Sequence, residues 1–430
     1  MSGSAPAPST ASDALLVKHH VLFALRNARY LPTPYQAEDS SRMTLAYFCI
    51  AALALLPSAP VSSHDPHLSA LDVMLKPAQR TGFLDWVYQQ QVAQGGFRGS
   101  DSLAAALRTA DSARPSSSDL DNAHLIQTYT ALVILGLLDD DYARLRRHDL
   151  ARFVGACQNP DGSFSQFPGC PEPGDPRSTY SAFAVASMLD DWTTLDVDSA
   201  LAFLNGCRRY EGGFGQRPGL EANAGPTYCA IASFSLAGRL ASLARPQQLL
   251  RWLVSRQVRP PPRPPRSETS ESDEEGEDEV QEEEEGQRED DSAGFQGRAN
   301  KPTDACYSFW NNAALTLLLP GIDPSLSLSS ILDPALDRAW LLDCQHPKFG
   351  GIAREPGALP DVMHTYLSLA ALSLGDVSAD AGVGSGGATL GLRALDAVWN
   401  VPREVAQRMR ERLRRSTSGS GGEEEERGRV

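Results

Sequence analysis

Apolar positions along the chain recur in two alternating styles. The first is amphipathic and runs into a turn with glycine and an aromatic: FLDWVYQQQVAQGGF, LARFVGACQNPDGSF, ALAFLNGCRRYEGGF, LLRWLVSRQ before a later GF, and RAWLLDCQHPKFGGI. These phrases end at Phe97, Phe164, Phe214, Phe295 and Ile352. The second style follows each turn and is small and nearly all apolar: TYTALVILGLL, TYSAFAVASML, TYCAIASFSLAG, CYSFWNNAALTLLL and TYLSLAALSLG. A striped segment suits a helix lying on a core, and one that is apolar all round suits a helix buried on every side. Each unit therefore predicts an outer helix, a glycine turn and an inner helix. The segment AYFCIAALALL around Tyr47, after a helical stretch at 13–30, is an earlier copy.

Five tyrosines mark the later units: Tyr129, Tyr180, Tyr228, Tyr307 and Tyr366. Their intervals are 51, 48, 79 and 59 residues, and removing an insertion at 259–293 makes the long one 44. Six such pairs predict an all-α ring of six inner and six outer helices, with the inner N-termini at one rim. An open helical solenoid has the same repeat and remains the alternative. The expected organisation is a disordered stretch at 1–12, a barrel at 13–415 carrying the insertion, and a disordered tail at 416–430. Residues 101–118 and 376–389 read as loops.

Charge changes the picture in one place. The formal net charge is −15 over 430 residues, but 267–293 holds fifteen acidic side chains and one arginine. The remaining body is nearly neutral, which argues against nucleic acid as a partner. Seven cysteines without a CxxC pair fit reduced thiols in a cytoplasmic protein. The longest apolar run, Leu45 to Leu56, is too short for a bilayer, and MSGSAPAPSTASD lacks the form of a secretory leader.

Candidate chemistry comes from residues that break the repeat. In a tyrosine-based alignment, the position before the tyrosine holds Ala46, Thr128, Thr179, Thr227, Cys306 and Thr365. Two places earlier Asp304 stands against Thr44, Ile126, Arg177, Gly225 and Met363. His364 stands against Leu45, Gln127, Ser178, Pro226 and Ala305. Donors of types O, S and N suit Zn²⁺ and leave a fourth tetrahedral position for water or a substrate thiol. Upstream, GFQGRANKPTDACYSFW places Arg298 and Lys301 near a helix N-terminus, an arrangement suited to a diphosphate, with Tyr307 as a further donor. Phe48, Tyr129, Tyr180, Phe309 and Trp310 are candidates to line an apolar cavity.

The GGF turns, RANKPTDACYSFW and DVMHTY resemble the β subunits of protein prenyltransferases, from about residue 18 to 375 outside the insertion. The resemblance implies an α/α toroid that works with a helical α subunit as an obligate heterodimer. It implies Zn²⁺ on Asp304, Cys306 and His364. It assigns an isoprenoid diphosphate to Arg298, Lys301, Tyr307, Gly225 and Asn223, the last standing where the family has histidine. It further implies a lipid pocket with Thr44, Phe48, Tyr180 and Trp310, and a peptide channel with His124, Arg177 and Met363. The substrate cysteine comes from C-terminal CaaX motifs, X often Leu, in proteins such as Rho-type small GTPases.

Three branches of this family compete. Farnesyl enzymes carry tryptophan at the floor of the lipid pocket where this chain has Thr44, leaving room here for a longer isoprenoid. Arg354 stands where farnesyl and Rab enzymes carry an aspartate, which in the farnesyl enzymes is linked to Mg²⁺; type I enzymes carry lysine there. Both positions favour geranylgeranyl diphosphate as the lipid, a type I enzyme, and a reaction without Mg²⁺. The alternatives are a farnesyltransferase β subunit, a terpene cyclase, for which no DxDD acid is present, and a noncatalytic helical scaffold.

Overall fold

The computed structural model describes residues 14–58, 68–101, 123–259, 293–380 and 390–418. The stretches read as a disordered N-terminus, as the loop at 102–118 and as the acidic block up to residue 292 lie outside the described residues. Outer helix α1 (Val17–Arg29) leads into inner helix α2 (Arg42–Leu55), and a short α3 (Ala70–Met74) follows. Outer and inner helices then alternate: α4 (Pro77–Gln89) and α5 (Leu125–Leu137), α6 (Arg147–Ala156) and α7 (Pro176–Leu189), α8 (Val197–Gly206) and α9 (Ala224–Leu236), α10 (Pro246–Val254) and α11 (Ala305–Ile322). After one turn, α12 (Leu328–Ile331), the last pair is α13 (Pro334–Asp343) and α14 (Val362–Asp380), and α15 (Arg403–Ser418) ends the described chain.

Each inner helix packs on the next in the order α2, α5, α7, α9, α11, α14, and α14 packs back on α2. The ring is closed, which decides against the open solenoid. Closure is sealed on the outside by α1. His20 on α1 is fully buried; its Nδ1 accepts the Gly351 N–H at 3.0 Å and its Nε2 meets Gln345 Oε1 at 2.9 Å. Gly350 (φ +70°) lies so close that an added Cβ would fall 2.2 Å from the His19 carbonyl oxygen.

Two expected boundaries move. α14 continues to Asp380, so 376–380 is helix rather than loop, and α15 reaches Ser418, three residues into the expected tail. In both cases a packed helix propagates through residues of low apolar content. No helix among the described residues is long and apolar enough to cross a membrane.

The tyrosine repeat has a structural purpose that the sequence pattern leaves open. Between β3 (Leu395–Asp396) and β4 (Val401–Pro402) a tight turn enters the ring from the C-terminal ends of the inner helices, where Arg393 N–H donates to the Leu55 carbonyl. At its tip, Asn400 Nδ2 donates to the hydroxyls of Tyr180 (3.0 Å) and Tyr228 (2.9 Å). The hydroxyls of Tyr228, Tyr180, Tyr129 and Tyr366 donate in turn to the carbonyls of Ala397, Val398, Trp399 and Asn400. Tyr47 joins at 3.0 Å from Tyr366. Burial raises the pKa of all five tyrosines, keeping them protonated donors. A plug held by five inner helices thus closes one end of the ring.

The caps of the inner helices fix the true repeat register. Side chains of His124, Asp175, Asn223 and Asp304 each accept the N–H two residues on, and Asp361 accepts that of His364. Five residues after these caps stand Tyr129, Tyr180, Tyr228, Phe309 and Tyr366. The tyrosine-based alignment is therefore two residues out in α11, because Tyr307 imitates the ladder tyrosine that Phe309 replaces. Asp304 consequently shares the capping position with Asp175 and Asp361 and is no exception to the repeat. Cys306 is level with Ile126, Arg177, Gly225 and Met363, while His364 and Tyr307 are level with Gln127, Ser178 and Pro226. Ser308, not Cys306, takes the place of the repeat threonine.

Candidate active site and metal centre

Adjacent inner helices α11 and α14 bring three donor side chains together at the open rim. One ligand atom each from Asp304, Cys306 and His364 lies within 4.8 Å of the others. Asp304 is both cap and candidate ligand: Oδ1 accepts the Cys306 N–H at 2.9 Å and lies 3.2 Å from His364 Nε2. Cys306 and His364 are each 8% exposed. His364 Nδ1 meets Asp361 Oδ2 at 2.5 Å, which fixes the ring and aims Nε2 at the cluster, where it makes no hydrogen bond. A carboxylate behind a histidine in this way is the usual support for a metal-binding imidazole. Asp361 was not singled out from sequence, although its place three residues before His364 at a helix start is a readable signal.

The electrostatics fit a divalent cation. Burial opposes charge on His364, but Asp304 and Asp361 outweigh it and raise its pKa to about 9. Burial and the Asp304 carboxylate push the Cys306 thiol well above its ordinary range. A neutral thiol and a protonated imidazole beside two carboxylates balance charge with protons; a cation among the same donors replaces those protons and yields thiolate and neutral imidazole.

Three cationic residues lie on segments adjoining the start of α11. The Arg354 carbonyl accepts the Ala305 N–H at 2.9 Å, which pins that residue at the start of α11. Its exposed guanidinium pairs with Glu355, and that of Arg298 with Glu221 at 2.8 Å. Lys301 is exposed three residues before the Asp304 cap. Tyr307 Oη lies 3.5 Å from Asn223 Nδ2, whose Oδ1 accepts the Gly225 N–H. The Tyr307 ring covers Gly297, where a Cβ would sit 2.0 Å from it. Glu221 and Gly297 have no sequence signal pointing to these partners.

The remaining candidates lie on neighbouring helices. His124 Nδ1 accepts the Ile126 N–H and its Nε2 meets Gln166 at 3.2 Å, which defines a neutral Nε2–H tautomer; burial lowers its pKa. Arg177 sits half exposed and forked on Asp175, and Met363 is partly buried on the first turn of α14. Phe48 and Trp310 keep partly exposed faces beside Tyr366 and Tyr228, whereas Tyr129, Tyr180 and Phe309 are buried in the aromatic ladder. Thr44 Oγ1 donates to Gln127 at 3.0 Å. Counted from the ladder tyrosine it is level with Cys306, on the first turn of α2.

A family model described as the prenyltransferase alpha-alpha toroid domain matches residues 15–401. A geranylgeranyl transferase type-1 subunit beta from Dictyostelium discoideum is 32% identical over 373 residues, covering 83% of this chain and 89% of the relative. Its counterpart from Arabidopsis thaliana is 31% identical over 86% of this chain and 88% of the relative. A protein farnesyltransferase subunit beta from Schizosaccharomyces pombe is 26% identical over 84% of this chain and 78% of the relative. The structure of Candida albicans protein geranylgeranyltransferase-I complexed with GGPP shares the fold, with a TM-score of 0.71 at 24% identity over 93% of this chain and 99% of that one.

Proposed function

Because the chain belongs to the prenyltransferase alpha-alpha toroid family, we propose that it is the catalytic β subunit of a type I protein geranylgeranyltransferase. The observation that carries this reading is the Asp304, Cys306 and His364 cluster, with Arg298 and Lys301 on the segment leading into the same helix. Asp304, Cys306 and His364 would hold zinc, whose Lewis acidity would keep a substrate cysteine as thiolate at neutral pH. Arg298, Lys301 and Tyr307 bind the isoprenoid diphosphate, with Asn223 and the Gly225 amide beside them. As the thiolate attacks C1 of the lipid, a carbon–sulfur bond forms and the carbon–oxygen bond to diphosphate breaks. Arg354 takes charge developing on the leaving group, a task that dispenses with Mg²⁺. The lipid lies against Thr44, Phe48, Tyr180 and Trp310, and the CaaX peptide enters past His124, Arg177 and Met363. The partner is a helical α subunit, the substrates are CaaX proteins such as Rho-type small GTPases, and the compartment is the cytoplasm.

Metal analysis and a lipid competition test this reading on the purified heterodimer. One zinc per chain is expected, with Cys306→Ala and His364→Ala each losing metal and transfer while lipid still binds. The twenty-carbon diphosphate should win over the fifteen-carbon one at equal concentration, with Mg²⁺ chelated. Preference for the shorter lipid together with a Mg²⁺ requirement would place the chain with the farnesyltransferase β subunits instead.

A further inference from the structure

Outside the site, one buried carboxylate breaks the repeat. Asp337 lies on outer helix α13, four residues after its cap Asp333, and is 6% exposed. The same count from the cap gives Leu150 in α6, Ala200 in α8 and Leu249 in α10, all fully buried, and polar residues, His20 and Arg80, in α1 and α4. Asp337 thus stands where the three outer helices before it carry apolar core, and it is the one carboxylate at this count. Its Oδ1 accepts from Ser308 Oγ at 2.6 Å and its Oδ2 from Asn312 Nδ2 at 3.0 Å. Ser308 and Asn312 are one turn apart on the back of α11, beginning two residues after Cys306.

The inner helix has changed its fastening as well. At the Ser308 position, Thr128, Thr227 and Thr365 accept the N–H of Phe97, Phe214 and Ile352, tying each inner helix to the turn of its own unit. Ser308 turns away to Asp337, which belongs to the following unit. That exchange matters because the metal donors are split between the same two units: Asp304 and Cys306 on α11, His364 on α14 behind α13.

We infer that Asp337 is a positioning residue that locks the rotation of α11 against the α13–α14 unit and so holds Cys306 and Asp304 in register with His364. The inference rests on the zinc reading. A buried carboxylate costs more than the leucine or alanine found in three sister units, and its two charge-assisted bonds run to the helix that bears Asp304 and Cys306. Deleting a support behind metal ligands costs about 10–100-fold in affinity, and Asp337, one residue further removed than a direct partner, belongs at the lower end.

Cobalt(II) is the probe, titrated into the metal-stripped heterodimer and followed by its d–d and thiolate charge-transfer absorption. Asp337→Leu, the residue of two sister units, should keep its melting temperature within a few degrees, yet bind cobalt about tenfold more weakly with reduced d–d intensity. Asp337→Asn retains an acceptor for Ser308 and should restore most of the wild-type spectrum. Ser308→Ala cuts the same tether from the α11 side without altering α13, and should weaken cobalt binding even if Asp337→Leu fails to fold. Wild-type cobalt affinity and spectrum in Asp337→Leu, or in Ser308→Ala, would reduce Asp337 to a packing residue. A wild-type protein that binds no cobalt is a different result, which overturns the zinc reading on which the inference stands.

Discussion

A single hydroxyl-bearing residue, Thr44, carries much of the expected lipid choice. It is level with Cys306 and hydrogen-bonded to Gln127 on the next inner helix. Thr44→Trp should fill the space used by the fourth isoprene unit and shift preference from the twenty-carbon to the fifteen-carbon diphosphate. Five buried carbons are worth at most about 4 kcal/mol before ordering costs, so even half of that is visible in a two-lipid competition. An unchanged lipid ratio in this variant would remove Thr44 from the pocket. His20 makes a prediction about stability. Burial lowers its pKa to about 4 from the model-peptide 6.5, so the unfolded chain protonates first as the pH falls. The contribution of neutral His20 is complete above about pH 6.5 and is lost between 6.5 and 4, about 3 kcal/mol in all. His20→Gln can still accept from Gly351 and donate to Gln345, so its stability should fall less over that interval. Parallel denaturation curves for the two proteins would refute the assignment.

At the level of elements, the two ends of the long insertion meet in a short antiparallel ladder, β1 (Gln257–Val258) and β2 (Gly294–Phe295). The chain leaves at Arg259 and returns at Ala293 on neighbouring strands. Replacing 260–292 by a short turn should therefore leave folding and turnover on short peptides nearly unchanged, since loop length adds only logarithmically to closure entropy. A melting temperature that drops by more than about 5 °C would show that the deleted residues contribute to the fold. The same elements show where sequence reasoning slipped. CYSF offered a tyrosine at a familiar place, but the Asp304 cap and Phe309 set the register of α11 two residues away. Cys306 and His364 stayed exceptional under either alignment. Asp304 is a regular cap rather than an exception, yet it lies beside them, because its carboxylate sits at the start of α11 next to Cys306 and His364.

Over the whole molecule, the plug links five of the six inner helices: Asn400 and its neighbours bond to tyrosines from α2, α5, α7, α9 and α14. Asn400→Ala removes buried partners of Tyr180 and Tyr228 and places a methyl side chain at φ +56°, which should cost about 2–4 kcal/mol in denaturant unfolding. Asn400→Gly relieves the backbone part and isolates the loss of the amide; a cost below about 0.5 kcal/mol for both would show that the plug is not what joins the helices. By itself the sequence determined the alternation of outer and inner helices, their number, and the rim on which the chemistry gathers, because amphipathic period, glycine turns and residue type are local properties. Closure of the ring, the plug, the register of α11, the support of His364 by Asp361 and the tether from Asp337 were decided only by the tertiary structure. Each depends on which surfaces meet across dozens or hundreds of residues, and such pairing energies leave no periodic mark on the chain.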